Sequence, residues 1–131
     1  MDERGLQKRT KEFALRVMKL VDSLPQTHAG RAVASQLVRA GTSVAANYRA
    51  ACRGRSRAEF IAKLGTVEEE ADESAFWMEL IMEGKLLDES RVRPLYAESS
   101  ELVAIMAASR ITASRNRRVS IANRKSAIGN P

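Results

Sequence analysis

The chain has 131 residues, one cysteine and a formal net charge of +6. That length predicts a single domain with room for a real core. No run reaches the ~18 apolar residues of a membrane span, and one cysteine excludes an internal disulfide. The first residues, MDERGLQKRTKE, lack the apolar stretch of a secretory leader, so a cytoplasmic protein away from membranes is expected.

The first helix is predicted from Glu3 to Ser23. Leu6, Thr10, Phe13, Val17, Leu20 and Leu24 recur at steps of three and four and form one stripe. Pro25 ends it, because the residue before a proline is pushed out of the α region. Thr27 is the expected N-cap of the second helix, with Gly30 in its first turn and His28 in the preceding loop.

The second helix carries the chain's most distinctive stretch, Ser35 to Arg57. Val33, Leu37, Ala40, Val44, Tyr48 and Ala51 form its apolar stripe. Gln36, Ser43 and Asn47 make a narrow polar strip along one edge, read as structural groups that fix helix register. A buried amide without a partner costs ~1–3 kcal/mol, so Asn47 should have one. No acid occurs between Asp22 and Glu59, whereas six arginines do. Of these, Arg39, Arg49 and Arg53 are candidate phosphate contacts.

Gly54 follows the second helix, and Ser56 with Glu59 reads as a capping box for the third. That helix is expected from Arg57 to about Lys85, with Phe60, Leu64, Val67, Ala71, Ala75, Met78 and Met82 on one face. Its second half, AFWMELIM, is apolar nearly all round. A four-helix monomer covers only one side of such a helix, so Phe76, Trp77 and Leu80 are candidate oligomer contacts. Glu70 and Glu73 belong to an acidic cluster. Paired-metal bundles use Glu-x-x-His pairs, which this chain lacks, so a charged face meeting arginines is the plainer reading.

The fourth helix should start between Asp88 and Pro94, with Leu95, Ser99, Leu102, Met106 and Ala113 as its stripe. From Ser114 the apolar pattern fails, and residues 114–131 are read as a flexible basic tail after a bundle of residues 1–113. Charge is segregated. Residues 1–101 hold 16 basic and 16 acidic side chains, so the excess lies in Arg110, Arg115, Arg117, Arg118, Arg124 and Lys125. Residues 59–89 carry ten acids against two lysines, opposite in sign to the second helix. Four striped helices with short links predict an all-α fold, an antiparallel up-down four-helix bundle.

No phosphate-binding glycine loop, nucleotide fingerprint or Ser-His-Asp set occurs. No cofactor, metal site or enzymatic activity is expected. Cys52 reads as small filler.

With those residues laid out, the chain resembles the four helix bundle protein family, also called the 23S rRNA-intervening sequence protein family, over about residues 8–110. The resemblance is carried by QLVRAGTSVAANYRAA, against Q-L-x-R-[AS]-x-x-S-[IV]-x-x-N, and by SRAEFIAKLGTVEEEADESAFWMEL, against K-E-A-x-E-[ST]-x-x-W-L. Gln36, Arg39, Ser43, Asn47, Phe60, Glu70, Glu73, Ser74 and Trp77 fall on those patterns. Many members carry an acid shortly after the asparagine; Ala50 and Ala51 stand there in this chain. The resemblance implies a bacterial protein assembling as a closed homo-oligomeric ring, commonly a pentamer. A related branch assists the reverse transcriptase of diversity-generating retroelements and binds nucleic acid through basic surfaces. RNA or single-stranded DNA, and a protein such as a reverse transcriptase, are therefore the expected partners. The rival reading is a structural scaffold with a protein partner and no nucleic-acid binding, its arginines consumed by the acids of the third helix.

Overall fold

Asp2 opens the first helix, α1 (Glu3–Val21), by accepting a hydrogen bond from the Gly5 N–H at 2.8 Å. The structure, a computed structural model, describes residues 1–129, with side chains to residue 126. Three further helices follow: α2 (His28–Cys52), α3 (Arg57–Glu83) and α4 (Glu89–Gly129). The described residues contain four helices and no strand.

The helix starts follow the cap chemistry. Thr27 Oγ1 accepts from the Gly30 N–H at 3.0 Å, and His28 is the first residue of α2 rather than part of the loop. Gly30 is required here, since a Cβ would fall 1.9 Å from the Pro25 carbonyl oxygen. Ser56 Oγ accepts from the Glu59 N–H at 3.1 Å. The return bond of the expected capping box is displaced by one residue, because Glu59 accepts from the Arg55 N–H at 2.6 Å. Glu89 opens α4, so Pro94 falls inside the helix rather than in its first turn. Proline has no N–H, so the carbonyl of Ser90, an exposed residue, loses its helical partner.

The core is the sum of the four stripes. Phe13, Leu37, Tyr48, Leu64, Met78, Ile81, Leu102 and Met106 are its largest buried side chains. Val92 and Ile81, outside the expected stripes, are fully buried, whereas Phe60 and Met82 only flank the core. α3 packs against both α2 and α4; α1 packs on α2 and lightly on α4. α1 and α2 approach closely at Gly41, where a Cβ would meet both Val17 methyl groups at 2.8 Å. Between α3 and α4, the buried Ser99 Oγ donates to the Ala71 carbonyl at 2.6 Å.

The sequence reading ends the fourth helix at Ala113; the structure carries it to Gly129. The physical reason is that a helix already formed adds residues without a new nucleation cost. Between Ser114 and Ile128 there is no glycine or proline to stop it. Packing does change at that point. Ala113 is the last buried residue among those described, and 115–120 are exposed. Residues 130 and 131 of the expected tail lie outside the described residues.

Candidate nucleic-acid interface

The inward line of α4 changes chemistry where the bundle stops. Ser99, Leu102, Met106 and Ala113 are buried. The same line, followed at steps of four, three and four, continues as Arg117, Ser120 and Arg124. α4 is 41 residues long and α3 is 27, so α4 outruns its neighbour by about 20 Å at 1.5 Å per residue. The overhang passes the first turn of α3. Ser56, Arg57 and Ala58 line one side of a groove, and Asn116, Arg117, Ser120 and Arg124 line the other, around about 330 Å³.

Other cations gather at this end because the α2–α3 link is short. Arg53 caps the end of α2, its N–H bonded to the Ala50 carbonyl at 3.1 Å, and Arg49 lies one turn earlier. Both are exposed. Arg57 stands over the Phe60 ring, 5.8 Å from its centroid, which fixes the guanidinium at the rim of the groove. A second groove beside the first is floored by Ala58, Ile61 and Ile111 and flanked by Arg117 and Arg118. Arg115 and Lys125 project from other faces of the overhang and are exposed. Among the described residues, none of these cations has an acid within ion-pair distance. Arg110 differs, being bound to Glu68 at 3.1 Å.

Arg39 is separated from this set. Its guanidinium bonds Glu70 at 3.3 Å and also Glu73. The hydrogen bond from Arg39 holds the Glu73 carboxyl below the usual carboxylate range, with Trp77 Nε1 donating weakly to it at 3.4 Å. An arginine already balanced by two carboxylates is a poor phosphate contact, so Arg39 leaves the candidate set.

The polar edge of α2 also behaves differently from expectation. Asn47 Nδ2 donates to the Ser43 carbonyl at 2.9 Å, within its own helix, and Gln36 is exposed. The partner that a part-buried amide needs is therefore local, and no bond to another helix from Asn47 sets a register. Ser99 makes that kind of bond instead. As one serine within an apolar stripe, it gave no signal in sequence.

Phe76 and Leu80 are 49 % and 39 % exposed. Trp77 is not: it packs partly buried against the core of its own chain, edge-on to Phe76 at 5.2 Å. Phe76 and Leu80 are the large apolar side chains of α3 that stand exposed, and Trp77 keeps part of its surface beside them. Cys52 is half-buried near Tyr48, Gln7 and Glu3, and burial pushes its thiol up, away from the reactive thiolate. Among the described residues, no group of three or more His, Cys, Asp or Glu side chains could hold a metal ion. No described helix is long and apolar enough to cross a membrane.

The profile of one family, 23S rRNA-intervening sequence protein, matches residues 4–108. The chain belongs to the 23S rRNA-intervening sequence protein family. The matched span stops just short of the overhang, so the basic end of α4 lies beyond what the family profile describes. Among solved structures, the chain is similar to a protein of unknown function from the S23 ribosomal protein family of Bacteroides thetaiotaomicron VPI-5482. The two share 28 % identity over 84 % of this chain and 98 % of that one, with a TM-score of 0.78. No curated protein matches the chain.

Proposed function

We propose that this member of the 23S rRNA-intervening sequence protein family is a non-enzymatic, cytoplasmic homo-oligomer. It binds RNA or single-stranded DNA through the basic end formed by the α2–α3 link and the α4 overhang. The observation that carries this reading is the change along α4's inward line from Met106 and Ala113 to Arg117 and Arg124. Exposed arginines with no acid within ion-pair distance suit phosphate contacts. Arg49, Arg53, Arg115, Arg118 and Lys125 widen the same field.

The bundle is read as antiparallel, up-down. Four pairings support this order: Gly41 with Val17, Arg39 with Glu70 and Glu73, Ser99 with Ala71, and Arg9 with Glu98. Together with links of a few residues, they suit neighbours that run in opposite senses. Exposed Phe76 and Leu80 support an assembly, and the family resemblance suggests a closed ring of five.

Truncation after Ser114 tests the nucleic-acid reading. It removes five of the six excess charges, leaving Arg110. Gel shifts with RNA at two salt concentrations should show binding by the full chain, weakened by salt, and little by the truncated one. Binding by neither would favour the second reading, a scaffold for a protein such as a reverse transcriptase. One observation favours that alternative: Arg39 is paired with the α3 acids, as a purely structural role requires.

A further inference from the structure

Two outer faces of the bundle match each other and cannot meet within one chain. On α1, Lys8, Lys11, Leu15 and Lys19 recur at steps of three and four and are all exposed. Leu15 is 57 % exposed and its neighbour Met18 47 %. On α3, Glu69, Asp72, Phe76 and Leu80 recur at the same steps and are also exposed. Among the described residues, α1 packs on α2 and α4 and its backbone does not approach that of α3. The two helices are thus diagonal corners of the bundle, and their outer lines point away from each other.

We infer that α1 of one copy docks on α3 of the next, in parallel, at a constant offset of 61 residues. The inference rests on the homo-oligomeric reading and on α1 and α3 running in the same sense. In that register Lys8 faces Glu69 and Lys11 faces Asp72. Leu15 meets Phe76, and the Lys19 stem lies along Leu80. Opposite charges fix the register, and the apolar pair, closed off from water, supplies the attraction. Lysine stems cover apolar surface while their ammonium groups stay wet.

The surfaces differ from one another, so the contact is head-to-tail. Such contacts close into rings when the rotation permits and extend into filaments when it does not. A rotation about an axis along the bundle keeps α1 and α3 parallel between neighbours, as the register demands. The basic end of α4 takes no part and remains available in every copy.

Sedimentation velocity of the full chain at micromolar concentration tests this surface. The unaltered protein should sediment at a multiple of 14.5 kDa. Lys8→Glu with Lys11→Glu places acids against acids and should release the 14.5 kDa monomer with unchanged helical circular dichroism. Adding Glu69→Lys and Asp72→Lys to that chain reverses both faces and should restore the original mass. A Lys8→Glu/Lys11→Glu protein of unaltered mass would overturn this surface while leaving the oligomeric reading standing. Failure of the four-residue swap to reassemble would overturn it as well. A monomeric unaltered protein would overturn both the oligomeric reading and this contact.

Discussion

Lys85 is the only non-glycine residue with a positive φ among those described, at 55°. It closes α3: the Leu86 N–H reaches back to the Ile81 carbonyl at 2.9 Å and the Lys85 N–H to Met82 at 3.2 Å. Glycine is the usual residue at that position; here Gly84 stands one residue too early. Lys85→Gly should therefore stabilise the protein by about 0.5–1 kcal/mol, visible as a higher urea midpoint at unchanged slope. At Arg39 the effect depends on pH. Glu73's lowered value means that the pair stabilises fully above the ordinary carboxylate range and loses this as pH falls through that value. Arg39→Met should melt below the unaltered protein at pH 7, and the two should converge toward pH 2. A gap that persists at pH 2 would assign the arginine's role to packing instead.

At the scale of the helices, starts were legible and the last stop was not. Pro25, Thr27 and Ser56 act through local geometry that a short window of sequence contains, and α2 and α3 begin where those residues place them. The end of α4 has no comparable signal before Gly129, and loss of apolar residues after Ala113 marks only where packing ends. An apolar stripe stabilises a helix, but its loss does not stop one. Trp77 is a related case. Helical angles place it to one side of α3, but only the packing shows that its own chain covers that side. The closest helix approach gives a further prediction. Gly41→Ala would push a methyl group into the stiff, β-branched Val17. Overpacking of about 1–3 kcal/mol should outweigh the ~1 kcal/mol gain in helix propensity, lowering the melting temperature without changing the helical signal.

For the whole molecule, charge is arranged by region rather than by net value. The α3 acids are partly consumed by Arg39 and Arg110, and Glu59, at the basic end, is engaged by the Arg55 N–H. The field of the cationic end is therefore local, and it lies beyond Ala113, the last buried core residue among those described. Removing residues 115–131 should leave thermal stability and assembly mass close to those of the full chain, because the overhang contributes no buried side chain among the described residues. A large fall in melting temperature would show that the overhang supports the bundle. The cation-bearing face was legible as composition, since five of six excess charges follow Ser114. Its placement against Arg57 was not, because that depends on α4 remaining straight past the start of α3.

The central claim is that α4's basic inward line contacts phosphates. Fluorescence anisotropy with a labelled oligouridylate, titrated across salt, measures it directly for the full chain and for Arg117→Glu/Arg124→Glu. The unaltered protein should bind with a log–log salt slope that steepens by roughly 0.7 for each phosphate contacted. The double variant should bind more weakly and with a shallower slope, while its helical content and mass stay the same. Equal affinity and equal slope for the two proteins would contradict the account.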